Sequence, residues 1–176
     1  MLKITHLEKQ QFPPLEFIGR PYDNHDRQNG TFDHLWQQWF ANDLFAQLRK
    51  ENDPYSGGSA YGFINESAGH FSYWIGDLFD IGTPIPQGFE SFILGQSSVG
   101  VAWVSGRTDN NELFGDQPMK TAFNALKKAK IAQQTDWEHL TYFFERYDDR
   151  RFDVHAKETI LDYGFYLQDP DGPVNN

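Results

Sequence analysis

The stretch AYGFINESAGHFSYWIGDLF, residues 60–79, decides the fold class of this chain. Residues 60–64 and 70–79 are rich in aromatic and aliphatic side chains, and a polar turn containing Gly69 separates them. Two β-type runs joined by a short turn with glycine indicate a β-hairpin. A hairpin pairs antiparallel strands, so the sequence predicts an antiparallel sheet built around these residues.

Toward the N-terminus the sequence predicts a strand and then a helix. Residues 4–21 form a strand broken at Pro13-Pro14, because proline cannot donate to a sheet ladder. Thr31 fits the N-cap of a helix that ends at Asn52-Asp53-Pro54. The apolar residues of this helix recur at helical spacing and predict a stripe that packs on the sheet: Leu35, Trp36, Trp39, Phe40, Leu44, Phe45 and Leu48.

Toward the C-terminus the sequence predicts two strands, two helices and a final strand. The strands cover 89–94 and 99–104, and Asp116 caps the next helix. Residues 135–138 have the pattern of a capping box, so a further helix is expected to start there. It would bury Trp137, Leu140, Phe144 and Tyr147. The charged residues 145–151 are expected to form a solvated salt-bridge cluster, and the last strand covers 160–167.

Composition excludes several classes of protein. The 15 Lys and Arg against 25 Asp and Glu give a net charge of −10 at pH 7, which argues against direct nucleic-acid or anionic-membrane binding. The absence of cysteine excludes disulfides and thiol chemistry. No apolar run has the length of a signal peptide or a membrane span, so a cytoplasmic protein is expected.

The sequence contains no recognisable catalytic or metal motif. No two of its six histidines stand four residues apart, which disfavours a zinc site, and no cofactor is predicted. Residues 95–100 lack the spacing of a nucleophile elbow, and no phosphate-binding Gly-Lys-Ser/Thr loop is present. Catalytic residues are therefore not assigned.

The order and landmarks of the chain resemble the GyrI-like small-molecule-binding domain, also called the AraC-type effector-binding domain, which occurs in bacterial transcription regulators and as stand-alone proteins. The matching segments follow one another along about 160 residues, and they are Phe12-Pro13-Pro14, Phe17-Ile18-Gly19, Leu35-Trp36, Tyr61-Gly62, 71–76, 85–88 and 163–167.

The resemblance implies an α+β fold of two duplicated βαββ modules related by a pseudo-twofold axis. A curved antiparallel sheet would carry the helices on one side and a central hydrophobic cleft. A weak similarity between residues 15–20 and 101–107 favours such a duplication. We expect one domain over 1–168, with modules at about 1–82 and 88–168, and a disordered tail at 169–176. With no DNA-binding helix-turn-helix, the chain is expected to be a stand-alone effector-binding module.

The resemblance also implies where a ligand would bind. Drug-responsive members neutralise a cationic ligand with a buried Glu, usually in the final strand in a pattern like Phe-Glu-x-Tyr. Alignment on Tyr166 puts Gly164 at the Glu position, and Asp162, on the same face of the strand, is the nearest acid. Pocket aromatics are predicted at Trp36, Tyr61, Phe71, Tyr73, Trp103 and Tyr166, although any of them could instead be ordinary core.

The main functional prediction is non-enzymatic binding of small amphipathic aromatic molecules, cations included, by a sensor, a drug-sequestering protein or a transcription-related protein. One alternative is a hydrolase of electrophilic genotoxic molecules in the same cleft. Asp162 would be its acid, and Tyr73 or Tyr166 would be its tyrosine. The other is a protein-interaction role, such as modulation of DNA gyrase, with an unknown protein partner.

Overall fold

The computed structural model describes residues 1–55 and 57–167, and the predicted tail lies outside them. Their strands are β1 Lys3–Phe12, β2 Leu15–Tyr22, β3 Ser59–Asn65, β4 Ser72–Asp80, β5 Glu90–Leu94, β6 Ser97–Arg107, β7 Tyr142–Asp148 and β8 Glu158–Tyr166. Their α-helices are α1 Asp33–Ala41, α2 Leu44–Arg49 and α3 Asp116–Lys128. None of these helices is long and apolar enough to cross a membrane.

The predicted hairpin is confirmed and lies near the middle of the sheet. β3 and β4 pair antiparallel from Tyr61 opposite Gly76 to Asn65 opposite Ser72. β4 also pairs with β2, where Gly19 lies directly opposite Gly76. A Cβ atom on either glycine would overlap the backbone of the other strand, so this pair lets two strands approach unusually closely.

All eight strands form one antiparallel sheet in the order β1-β6-β8-β7-β3-β4-β2-β5. Read from the other edge, the order is β5-β2-β4-β3-β7-β8-β6-β1. Each strand of the first half then occupies the place of its counterpart in the second half, with β1 matching β5, β2 matching β6, β3 matching β7 and β4 matching β8. The pseudo-twofold axis therefore passes between β7 and β3. The predicted α+β fold with a duplicated, curved antiparallel sheet is confirmed, and the sheet is unclosed.

The two faces of the sheet are covered differently. One face packs against the helices, through residues such as Trp39, Phe45 and Phe123. The buried cluster on the other face consists of strand residues alone, among them Phe17, Phe63 and Phe144. Its aromatic rings pack against one another with centroids 5.0 to 6.4 Å apart. The curved sheet thus buries its second face with its own side chains.

The helix predicted to start at residue 135 is wrong, because residues 142–148 form the strand β7. The spacing of Trp137, Leu140, Phe144 and Tyr147 imitates a helical stripe. However, Tyr142 and Phe143 are also buried, so this stretch has no polar face. A run that is apolar on both sides is typical of a central strand, and β7 pairs with β3 and β8.

The first helical region is also shorter than predicted. α1 begins at Asp33 after Phe32, and the helix is interrupted before Leu44. Asp43 has a φ of 52°, in the left-handed region that an α-helix cannot continue through. Most of the apolar stripe nevertheless packs as predicted, with Leu35, Trp39, Leu44, Phe45 and Leu48 all buried, but Phe40 is 64% exposed and does not.

Candidate functional site

A cleft of about 370 Å³ lies above the junction of β3 and β7, where the pseudo-twofold axis passes. Ile64, Tyr73, Phe143, Glu145 and Tyr147 of the sheet form its floor. One wall is the segment that leads into α1, and the opposite wall is the segment that leads into α3. A volume of this size is typical of sites for small organic molecules.

Glu145 lies at the centre of the floor and is only 7% exposed. Its Oε2 atom accepts hydrogen bonds from the hydroxyl of Tyr147 at 2.9 Å and from the hydroxyl of Tyr73 at 3.1 Å. The Tyr73 hydroxyl in turn accepts a hydrogen bond from Nε1 of Trp36 at 2.9 Å. The carboxyl group is therefore held in one orientation by neutral donors.

Gly62 of β3 makes room for this arrangement. It pairs with Glu145 of the neighbouring strand. A Cβ atom at residue 62 would overlap the Tyr73 hydroxyl and would come within 2.9 Å of Glu145 Oε2. The missing side chain thus creates the space in which the tyrosine and the carboxyl group meet.

The surroundings of Glu145 favour its neutral form. Burial raises the pKa of Glu145 above its ordinary value, and the charge of Asp33 raises it further, while the hydrogen bonds from Tyr147 and Tyr73 lower it. Burial also raises the pKa values of Tyr73 and Tyr147 far above the usual range, so both hydroxyls remain donors at neutral pH. Within residues 1–55 and 57–167, no Lys or Arg pairs with Glu145.

The walls of the cleft are aromatic and acidic. Phe32 stacks on Tyr73 with centroids 4.3 Å apart and rings 3° from parallel, and Trp36 lies 4.7 Å from Tyr147. The guanidinium of Arg27 lies over the ring of Phe32 at 4.6 Å. Besides Glu145, the acids that line the cleft are Asp33, Glu66, Asp116 and Glu138. The negative charges around this cleft therefore outnumber the positive ones.

The predicted pocket residues lie on two faces of the sheet. Trp36, Phe71 and Tyr73 line the cleft that contains Glu145. Tyr61 and Trp103 instead line a second cleft on the opposite face. Tyr166 is buried in the all-strand cluster of that opposite face. The structure therefore brings only three of the six predicted aromatics together around one cavity.

Asp162 also lies on the opposite face, where it has two cationic partners. It is fully buried, and its Oδ2 atom accepts a hydrogen bond from Nε of Arg146 at 2.8 Å. Arg151 donates to both of its carboxylate oxygens. Its charge is therefore balanced within the protein, in contrast to that of Glu145.

Side chains alternate between the two faces of the sheet along β7, and this alternation places Glu145 in the first cleft. Phe143, Glu145 and Tyr147 point into the first cleft, whereas Phe144 and Arg146 point to the opposite face. Residues 144–147 spell Phe-Glu-Arg-Tyr, which is itself the Phe-Glu-x-Tyr pattern. Sequence analysis instead predicts the motif in the last strand and places residue 145 just after a helix. The prediction that the charged residues 145–151 form a solvated cluster is wrong for Glu145, Arg146 and Asp148, because these three side chains are buried.

Metal binding is not suggested by the arrangement of side chains. Across residues 1–55 and 57–167, no three His, Asp or Glu side chains come together as ligands for a metal ion. The cleft is instead built from aromatic rings, hydroxyl groups and one central carboxyl group, which suits an organic ligand.

Comparison with known proteins gives structural neighbours only. No protein-family model matches the chain, and no curated protein matches it. SAV2435, solved with bound tetraphenylphosphonium, is 18% identical with a TM-score of 0.65, and the match covers 93% of this chain and 94% of that one. A Staphylococcus aureus MU50 protein named for a proposed role in bacterial transcription regulation is 18% identical with a TM-score of 0.64, over 93% and 98% of the two chains.

An integron cassette protein from the mobile metagenome of Vibrio cholerae is also similar. It is 14% identical with a TM-score of 0.51, and the match covers 95% of this chain and 99% of that one. Identities this low establish a common fold but not a common ligand. The chain therefore has the fold of SAV2435 and of these two further bacterial proteins over almost its whole length.

Proposed function

We propose that this protein binds a lipophilic aromatic cation in the cleft between α1 and α3, with Glu145 as the counter-ion. The observation that carries the proposal is the buried carboxyl group with no cationic partner among the described residues. A buried charge without a partner is costly, so a ligand that supplies the partner gains the interaction that the protein leaves open.

The walls of the cleft support a ligand with both rings and a positive charge. Arg27 already lies over the rings of Phe32 and Phe71, at 4.6 and 5.4 Å, so these aromatic faces accept a cation within the protein itself. The acids around the cleft add a favourable electrostatic potential. The structural neighbour SAV2435 binds tetraphenylphosphonium, a cation with four aromatic rings.

We further propose that the chain is a GyrI-like effector-binding protein. The common fold with SAV2435 and the Phe-Glu-x-Tyr pattern at 144–147 support this assignment. In that role, the protein would act as a sensor of the cation, as a protein that sequesters it, or in a transcription-related response to it. The neighbour named for bacterial transcription regulation supports the last of these.

Cation binding should depend on pH in a direction set by Glu145. Burial raises the pKa of Glu145, so its carboxyl group takes up a proton at a higher pH than an exposed glutamate does. A cation binds the ionised form, so binding releases a proton and the affinity falls as the pH is lowered through that pKa. A neutral ligand should show no such dependence.

The test is calorimetric titration with tetraphenylphosphonium and with uncharged triphenylphosphine oxide. We expect Glu145→Gln to weaken binding of the cation at least about thirtyfold, because the charge partner is lost from a buried site. Glu138→Gln removes an exposed acid from the rim of the same cleft and should have a much smaller effect. Equal affinity of wild type and Glu145→Gln for the cation would refute the proposal.

A hydrolase acting in the same cleft is the second candidate function. The observation that favours it is the buried carboxyl group beside two tyrosine hydroxyls, a combination that can accept and donate protons. Incubation with an electrophilic cyclopropane compound, followed by mass spectrometry, distinguishes the two functions. Hydrolysis that disappears in Glu145→Gln supports the enzyme, and recovery of the unchanged compound supports binding alone.

A further inference from the structure

A second cleft, of about 710 Å³, lies on the face of the sheet opposite Glu145. Arg146, Arg150 and Arg151 line it together with Tyr55, Tyr61 and Trp103. Neither the proposed function nor the structural neighbours assign it a role. It combines three guanidinium groups with aromatic walls, which is the reverse of the acidic cleft on the other face.

Side chains in this second cleft offer hydrogen-bond donors to a ligand. The Nε1 atom of Trp103 is buried and has no hydrogen-bond partner among the described residues. The hydrogen bonds of Arg150 and Arg151 to Asp148 and Asp162 use Nε and Nη2, and the Arg150 side chain is 73% exposed, so its Nη1 is accessible to a ligand. The Arg151 guanidinium lies over the Trp103 ring at 4.1 Å, which places two of these side chains in direct contact. A buried donor that lacks an acceptor favours a ligand that can provide one.

The acids in and behind the second cleft favour a monoanion over a dianion as its ligand. Asp162 and Asp148 together balance two of the three arginines. Glu8 lies on the far wall, 3.6 Å from His6 and 2.7 Å from the side-chain amide of Gln10. Since Glu8 and Asp148 line the cleft, they would repel a doubly charged phosphate more strongly than a monoanion.

We propose that this second cleft binds a planar aromatic monocarboxylate. Its carboxylate would accept hydrogen bonds from Arg150, Arg151 and the indole of Trp103, since guanidinium groups match the planar geometry of a carboxylate. Its ring would lie against the aromatic walls, where Tyr55 is 45% exposed and so accessible to a ligand. The protein would then carry a cation site and an anion site on opposite faces of one sheet.

The probe for this site is 2-naphthoate, with uncharged 2-naphthamide as the matched compound and inorganic phosphate as the dianionic control. Titration of the ¹⁵N-labelled protein follows the indole signals, and Trp103→Phe identifies the one that belongs to Trp103. We expect that signal to shift downfield with naphthoate and to stay in place with naphthamide. Naphthoate should bind at least about tenfold more tightly than naphthamide, because hydrogen bonds to a charged group are the stronger ones.

Variants separate this site from the cation site. Arg150→Gln changes a side chain that is 73% exposed, so the fold should persist, and naphthoate should bind about fivefold more weakly. Lys157→Gln removes a positive charge from the same β7–β8 connection outside the cleft and should leave its affinity unchanged. Glu145→Gln should not affect naphthoate, whatever it does to tetraphenylphosphonium. An unmoved Trp103 signal, or equal binding of naphthoate and naphthamide, would overturn the proposal.

Discussion

The two faces of the sheet differ in which groups surround a buried carboxyl group. Glu145 and Asp162 belong to adjacent strands and lie at neighbouring positions of the β7–β8 ladder, where Glu145 pairs with Tyr163 and Arg146 pairs with Asp162. Asp162 is held by two arginines, whereas Glu145 is held only by hydroxyl groups. The charge of Asp162 is therefore balanced within the protein, whereas that of Glu145 is left for a ligand to balance.

Removal of the Asp162 charge should have the largest effect on stability. Asp162→Asn leaves Arg146 and Arg151 buried without their common partner, and loss of one member of a buried ion pair typically costs about 3–5 kcal/mol. Chemical denaturation would measure the free energy of unfolding. Asp80→Asn, at an exposed position at the end of β4, is the matched control and should remain close to wild type. An Asp162→Asn variant as stable as wild type would show that the two carboxyl groups do not differ as described.

Gly62→Ala should damage the Glu145 face by a smaller amount. The added methyl group would force Tyr73 away from the carboxyl group, and crowding of this kind typically costs about 1–3 kcal/mol. Tyr73→Phe removes the crowded hydroxyl, so the loss from Gly62→Ala should be smaller in the double variant than in the wild-type background. Unfolding curves of the four proteins provide this cycle. Additive losses would mean that Gly62 serves another purpose.

Replacement of the Glu145 charge should have the opposite sign. In the unfolded chain Glu145 ionises at its ordinary pKa, but in the folded protein burial raises that pKa. The wild type therefore loses stability as the pH rises from the unfolded pKa to the folded pKa, and Glu145→Gln does not. We expect the variant to be the more stable protein at neutral pH and to lose this advantage in acid. Thermal unfolding of both proteins between pH 4 and pH 8 would measure the difference.

Sequence analysis predicted the architecture better than it predicted the site. The β3–β4 hairpin, most of the helical stripe and the duplicated sheet follow from local periodicity and from the order of elements, and the structure confirms them. The sequence predicts a helix over much of β7 because its apolar residues also match a spacing of three and four, and this prediction is wrong. Only the pairing with β3 and β8, which joins distant parts of the chain, decides between the two.

Because a helix is predicted at β7, the acid of the cleft is predicted in β8 instead. That acid, Asp162, lies on the face of the sheet opposite the cleft that contains Glu145. Asp162, Gly164 and Tyr166 do share one face of β8, as predicted from alternation, but that face is the one without helices. Which face of a strand meets the helices depends on the register between strands, and a single sequence does not contain that information. The sequence therefore predicts an acid beside aromatic rings, whereas which of these side chains lie around one cleft depends on strand pairing.

The first strand of each half of the chain lies at the sheet edge of the other half, and this arrangement makes folding cooperative. β1 pairs with β6, and β5 pairs with β2, so each half of the chain completes the sheet edge of the other. Lys3 finds its partner at Ser105, and such distant pairing is formed late and slows folding. Neither half can complete its share of the sheet from its own strands. The chain should therefore fold and unfold as one cooperative unit, and separately produced halves should be soluble only when they are combined.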